Sequence, residues 1–137
     1  MKSAIFPGSF DPFHDGHDFV VQKGLKDFDL IYIVISWNEN KKRFISYLKS
    51  KKIIRKKYKN NKKIKILINK KQLTVNIARK LNCFNIIRGY RNNDDLKYEQ
   101  WLKSQYLLLE PQINFILYKS NIDLNSTVIK IWYNKGN

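Results

Sequence analysis

Short apolar runs alternate along this chain with stretches in which apolar residues recur every three or four positions, the rhythm of buried strands joined by amphipathic helices. Residues 2–6 read as a first strand, which Pro7 and Gly8 break. His17 opens a helix that continues over 18–28, with Val21, Leu25 and Phe28 on one buried face and Val20 and Gly24 alongside. The run Leu-Ile-Tyr-Ile-Val-Ile-Ser over 30–36 is almost continuously apolar, as expected of a strand covered on both faces in a parallel sheet. Ser46 can cap a helix reaching about Tyr58, although Lys49 three places on withholds the carboxylate of a capping box. A third strand over 64–68 and a short helix over 74–81 follow, with Ile77, Ala78 and Leu81 inward. The fourth strand, 84–87, ends at a basic loop, Arg88-Gly89-Tyr90-Arg91. Asp94 and Asp95 suit the start of the next helix, whose inner stripe is Tyr98, Leu102, Tyr106 and Leu109 and which Pro111 stops. A fifth strand spans 113–118, and Asn125 can cap a last helix that begins at Ser126 and fades by Tyr133.

This alternation predicts an α/β fold: a doubly wound, mostly parallel, five-stranded sheet with right-handed crossovers, Rossmann-like in plan. With 137 residues the chain is expected to be one domain over 1–137, long enough to bury roughly two thirds of its unfolded surface. No apolar run reaches membrane-spanning length, and Met1-Lys2 leads straight into the first strand without a signal-peptide pattern, so the cytoplasm is the expected compartment. The single cysteine, Cys83, cannot form an internal disulfide and reads as packing at a strand start.

Four loops follow strand C-termini: 7–17, 37–43, 88–91 and 121–127. In an open α/β sheet they should converge on one cleft. The first, Pro7-Gly8-Ser9-Phe10-Asp11-Pro12-Phe13-His14-Asp15-Gly16-His17, reads as a phosphate site. A helix start attracts anions through its free N–H groups and positive dipole end. Gly16 removes a Cβ that would hold a phosphate away, and two imidazoles stand at the mouth, so an anion could touch backbone, hydroxyl and imidazole together. A lone His-x-Gly-His could be a metal pair or a turn with surface histidines. The preceding Gly-Ser-Phe-Asp-Pro and the strand-turn-helix context argue against both.

Basic residues outnumber acidic ones by 27 to 11, a net charge of +16, with lysines dense between Lys41 and Lys71. Such a field could gather phosphorylated substrates or bind nucleic acid. The lysines are spread over a helix, a loop and a strand edge without interleaved aromatic platforms, so most read as a solvated face and no nucleic-acid partner is expected.

The (H/T)-x-G-H turn resembles the signature of the nucleotidyltransferase superfamily. Arg88-Gly89-Tyr90-Arg91, then Asp95 and Tyr98-Glu99, is similar to the Arg-Gly-Leu-Arg, Asp, Tyr-Glu pattern of bacterial phosphopantetheine adenylyltransferases, and with Lys41 and Asn125-Ser126-Thr127 the resemblance runs from about Lys2 to Lys130. It implies transfer of AMP from ATP to 4'-phosphopantetheine, giving dephospho-coenzyme A and pyrophosphate, with Mg2+ bound along with the ATP and a homohexameric assembly. By position, the resemblance makes His17, Ser9 and Lys41 the catalytic residues. ATP would meet Ser9, Phe10, His17, Gly89, Tyr90, Arg91, Glu99 and the loop Asn121, Ile122, Asp123, Leu124, Asn125, Ser126 and Thr127. The acceptor would meet Ser9, Lys41, Thr74 and Arg88, and no protein metal ligand is implied. Read from the residues alone, Arg88 and Arg91 could pair with Asp94, Asp95 or Glu99, but their position after a buried strand favours binding; Glu99 could be a helix-surface carboxylate, and Ser126 and Thr127 could be caps. Tyr98, Trp101 and Tyr106 suit core or subunit contacts better than base stacking.

Several positions depart from that pattern. His14 stands where the family usually has threonine, as in cytidylyltransferases and nicotinamide mononucleotide adenylyltransferases, and Leu124 to Lys130 approaches a pattern of the latter. Tyr106 stands where the family commonly places an asparagine against the pantetheine arm. The chain stops at Asn137, soon after the last predicted helix begins, from which weaker subunit packing is expected. Two rivals follow: another nucleotidyltransferase, such as a nicotinamide mononucleotide adenylyltransferase, and a non-catalytic basic relative that binds nucleic acid.

Overall fold

The computed structural model describes residues 1–37 and 42–120. Among these, five strands alternate with four helices: β1 (Ser3–Gly8), α1 (Asp15–Asp27), β2 (Leu30–Ser36), α2 (Tyr47–Lys57), β3 (Ile64–Asn69), α3 (Thr74–Leu81), β4 (Asn85–Tyr90), α4 (Asn93–Leu109) and β5 (Asn114–Lys119). The sheet is parallel throughout, in the order β3-β2-β1-β4-β5. This is the expected Rossmann-like α/β fold. The chain winds outward from β1 to β3, then returns to the far side of β1 for β4 and β5. The C-terminal ends of β1 and β4 are therefore the point at which the winding reverses, where such sheets open a crevice.

Strand alternation divides the core. Ala4, Phe6, Ile31, Ile33, Ile35 and Ile87 pack on one face with Val20 and Val21 of α1 and Ile54 of α2. Ile5, Val34 and Ile86 point the other way, joining Val75 and Ala78 of α3 and Phe115 of β5. Cys83 is buried in that second cluster, the packing role expected of it. Ser46 caps α2 by accepting a hydrogen bond from the Lys49 N–H at 3.1 Å.

The boundaries nearest the crevice differ from the sequence expectation. Pro7 and Gly8 do not end β1, which pairs with β2 from Ser3↔Leu30 through Gly8↔Ile35. In a strand the N–H and C=O of one residue face the same neighbour. The Pro7 carbonyl accepts from Arg88 on the β4 side, so its missing N–H faces the gap between β1 and β4, where no ladder donor is required. Those two strands pair at Ile5↔Ile86. β4 in turn does not stop at Ile87. Its ladder with β5 continues through Arg88↔Leu117, Gly89↔Tyr118 and Tyr90↔Lys119, which puts Arg88, Gly89 and Tyr90 on a strand and not in a loop.

Helix α1 begins at Asp15, with His14 as its N-cap, so His17 lies inside the first turn instead of opening the helix. On α4 the expected inner stripe holds only in its middle. Leu102 and Tyr106 pack against the core, whereas Tyr98 and Leu109 are 54% and 50% exposed and Glu99 is buried. Neighbouring helix positions point about 100° apart, so turning Glu99 inward turns Tyr98 out. The last predicted helix, with Asn125 and Ser126, lies outside the described residues.

Helix α1 sits close over β4. A Cβ on Gly89 would come 2.5 Å from Val20 Cγ2, and the branched Val20 side chain has little rotamer freedom with which to yield. Gly89→Ala should therefore lower unfolding stability by about 1–3 kcal/mol despite the ordinary gain from removing a strand glycine. A urea titration with an unchanged or raised midpoint would show that the helix yields without cost.

Candidate active site

A cleft of about 250 Å³ opens at the crevice, lined by Gly8, Ser9, Phe10, His14, Gly16 and His17 on one side and by Arg88, Gly89, Tyr90, Arg91, Asp95 and Ser120 on the other. The phosphate turn and the 88–91 segment thus meet as the strand order requires. Lys41 and residues 121–127 lie outside the described residues. Thr74 does not line this cleft; it begins α3, and its Oγ1 lies 3.2 Å from the Tyr106 hydroxyl, which donates to it.

The start of α1 carries the chemistry in an unexpected way. From the sequence its N–H groups are expected to be free for an anion. In the structure, the His14 N–H donates to His17 Nδ1 at 3.1 Å and the Gly16 N–H to His14 Nδ1 at 3.1 Å, while the His17 and Asp18 N–H groups donate to the His14 carbonyl. The two imidazoles form a capping box and, with the His14 carbonyl, take up four N–H groups of the helix start. The two rings lie against the helix start, within reach of donors that have no intrahelical partner. A nitrogen that accepts carries no proton, so each ring holds its hydrogen on Nε2. Backbone donors are thereby exchanged for imidazole N–H donors at the cleft wall. Gly16 serves this arrangement too, since a Cβ there would stand 2.9 Å from His14 Cε1.

His17 is enclosed. Its ring stacks on His14 with centroids 3.8 Å apart, meets Phe10 edge-on at 5.0 Å and leans on Phe13 at 5.2 Å. Desolvation in this cage holds its pKa well below the ordinary histidine range, and the nearby His14 and Arg88 push in the same direction. His14, half-buried, is also lowered, by burial and then by the Arg91 charge, with Asp15 opposing. Both rings are neutral hydrogen-bond donors near pH 7.

Across the cleft, Arg88 is held on three sides. Its Nε and Nη2 donate to the Glu99 carboxylate, the latter at 2.7 Å, and Nη1 donates to the Pro7 carbonyl at 2.7 Å. Burial disfavours the guanidinium charge, but the hydrogen bonds and charge of Glu99 outweigh it and raise the Arg88 pKa. Glu99 is therefore neither a surface carboxylate nor part of the cleft wall; it stands behind Arg88 and fixes the plane of its fork. Arg91 donates through Nε to Asp95 at 3.0 Å, and both line the cleft. Arg88 keeps an N–H on each terminal nitrogen that neither Glu99 nor the Pro7 carbonyl takes. The site thus offers neutral imidazole N–H on one wall and oriented guanidinium on the other, an arrangement suited to an oxyanion-rich ligand.

Asp11, whose role is not legible in the sequence, is buried. Its Oδ2 and Oδ1 accept from the Phe44 and Ile45 N–H groups, each at 2.8 Å, tying the phosphate turn to the segment ahead of α2. Asp11 lies within the phosphate motif, but its partners are 33 and 34 residues away, and no local pattern announces them.

The depressed pKa of His17 sets a pH dependence. Unfolded histidine takes up a proton below about pH 6.5, while folded His17 refuses it until lower pH. The unfolded state then binds more protons, so stability falls as pH drops from about 6.5 toward the folded pKa and is fully present above. Nitrogen-15 NMR of the imidazoles should show His17 neutral, with its proton on Nε2, still at pH 6. An imidazolium there would contradict the capping arrangement.

Known proteins share this architecture and sequence. The description cytidylyltransferase-like fits a family whose pattern matches residues 5–131. The structure resembles a bifunctional NMN adenylyltransferase/ADP ribose pyrophosphatase from Francisella tularensis, solved with AMP and a Mn ion, at TM-score 0.72 and 18% identity over 99% of this chain and 42% of that one. It resembles a putative nicotinate-nucleotide adenylyltransferase from Vibrio parahaemolyticus at TM-score 0.69 and 18% identity, over 100% of this chain and 90% of that one. In sequence, the chain is 38% identical over 133 residues to the phosphopantetheine adenylyltransferase of Mycoplasma mycoides subsp. mycoides SC, covering 95% of each. It is 37% identical over 117 residues to that of Lactobacillus gasseri, covering 85% of this chain and 70% of the relative. The fold, the motif-bearing cleft and these identities together make the chain a member of the phosphopantetheine adenylyltransferase family, within the cytidylyltransferase-like nucleotidyltransferases.

Proposed function

We propose that the protein transfers AMP from MgATP to 4'-phosphopantetheine, forming dephospho-coenzyme A and pyrophosphate. The observation that carries this reading is the pairing, across one cleft, of the neutral His17 Nε2–H with the fixed guanidinium of Arg88. A phosphomonoester oxygen is already largely ionised near neutral pH, so no general base is needed. That oxygen attacks the α-phosphorus, an O–P bond forms, and the bond to the bridging oxygen breaks in line as pyrophosphate leaves with its electron pair. The protein supplies position and hydrogen-bond donors. His17, being neutral, stabilises charge on the transferring phosphate by donating a hydrogen bond and does not hand over its proton.

Arg88, with Lys41, would hold the acceptor's phosphate, and Ser9 would touch both substrates. Gly89, Tyr90, Arg91 and residues 121–127 would receive the nucleotide, and Thr74 the pantetheine arm. Among the described residues no group of three His, Cys, Asp or Glu side chains could hold a metal ion, and Asp95 and Glu99 are already engaged by arginines. A divalent cation, Mg2+ on this reading, therefore fits here as part of the substrate, held by phosphate oxygens and water. This reading carries the expectation of a cytoplasmic enzyme; no helix among the described residues is long and apolar enough to cross a membrane.

Purified protein with ATP and magnesium should release pyrophosphate when 4'-phosphopantetheine is added, with dephospho-coenzyme A formed. Nicotinamide mononucleotide, or no acceptor, should give background only. His17→Ala should lower turnover about 100-fold or more while remaining folded by circular dichroism. Near-normal turnover by the folded variant would remove His17 from the chemistry, and release only with the nicotinamide acceptor would reassign the substrate.

The same reading makes the protein a homo-oligomer, a hexamer. Trp101 and Tyr98 of α4 are more than half exposed and Leu108 is 79% exposed, an apolar helix face of the kind that copies of one chain cover. Light scattering should give a multimer that Trp101→Glu shifts to smaller species. A monomeric wild-type protein at micromolar concentration would overturn the assembly.

A further inference from the structure

The phosphate turn is held in a conformation its own residues disfavour. Phe10 has φ of 46°, in the left-handed region that non-glycine side chains rarely enter, while its ring is 1% exposed between Phe6 and His17. Something must fix the peptide planes on either side. Arg43 reaches them from the segment ahead of α2: Nη1 donates to the Ser9 carbonyl at 2.7 Å, Nη2 approaches the Phe10 carbonyl at 3.5 Å, and Nε donates to the Ile45 carbonyl at 2.9 Å. Ser50 Oγ donates to the same Phe10 carbonyl at 2.6 Å. Asp11, 4.0 Å from Nη2, balances the charge.

The guanidinium is itself fixed. It lies 4.0 Å from the centre of the Tyr47 ring, which stacks on Trp37 at 4.3 Å and 16°, and Lys70 Nζ lies 5.3 Å from the Trp37 ring centre. The Arg43 side chain is 9% exposed, so it is built into the molecule and not spread over its surface. A trans peptide plane that points the Ser9 carbonyl at Arg43 points the Phe10 N–H the opposite way, and Ser9 and Phe10 both line the cleft.

We propose that Arg43 is a positioning residue for phosphoryl transfer: its stacked fork sets the Ser9–Phe10 peptide, and through it the donors that the turn presents to the transferring phosphate. The proposal rests on the adenylyl-transfer reading above. It does not require Arg43 to touch either substrate. A lysine could replace the charge opposite Asp11 but not the planar fork that spans three carbonyls.

Arg43→Lys and Arg43→Ala should be compared with wild type for kcat, KM, MgATP affinity by titration calorimetry and urea unfolding. Arg43→Lys should fold, lose about 10- to 100-fold in kcat, the scale of a small misplacement, and keep its KM for 4'-phosphopantetheine within about threefold. Millimolar guanidinium chloride should restore part of the Arg43→Ala turnover, where ammonium chloride at equal ionic strength does not. Wild-type kcat in Arg43→Lys would overturn the proposal, as would a loss that follows the unfolded fraction alone. Should Arg43→Ala fail to fold, Arg43→Lys decides by itself. If the wild type gives no turnover with 4'-phosphopantetheine, the adenylyl-transfer reading fails separately. MgATP affinity then judges Arg43: a tenfold or greater loss in Arg43→Lys upholds its role in setting the turn, and an equal affinity refutes it.

Discussion

The cleft depends on where the first donors of α1 go. The helix begins beside Phe10 and Phe13, and the His14 N–H is given to His17 Nδ1. That bond fixes the tautomer of His17, and the Phe10 and Phe13 rings fix its tilt. Desolvation keeps it uncharged. One capping interaction therefore completes a helix, orients a side chain and decides what that side chain can do to a phosphate. The second histidine is accommodated in the same way. A residue at the His14 position needs a side-chain atom that accepts from the Gly16 N–H, which an imidazole Nδ1 supplies as a hydroxyl could.

The opposite wall follows from the sheet. Because β1 and β4 pair at Ile5↔Ile86 and the Pro7 carbonyl is left to Arg88, the arginine bridges the strands where the crevice opens. Its charge is stabilised by Glu99 from α4, a carboxylate buried because the guanidinium is there to meet it. A buried ion pair is a weak source of net stability, but it holds a planar cation in one orientation. The field at the cleft thus comes from a few directed donors. The lysines of α2 and β3 are not among its lining residues, and most are exposed.

By itself the sequence determined the order and type of the elements, because the period of apolar positions is a local property that survives folding. It also determined the two walls of the cleft, since Gly-Ser-Phe-Asp-Pro with His-x-Gly-His, and Arg-Gly-Tyr-Arg, each stand at the C-terminal end of a strand, and parallel strands bring such ends to one edge. Tertiary structure decided the rest. Pro7 continues β1 only because its missing donor faces a gap, and β4 runs to Tyr90 only because β5 is there to pair with it. Glu99 turns inward, at the expense of Tyr98, because Arg88 lies beneath α4. Asp11 and Arg43 acquire their roles from partners more than thirty residues away. Those assignments depend on which polar groups are buried together, a condition that exists only once the chain has closed on itself.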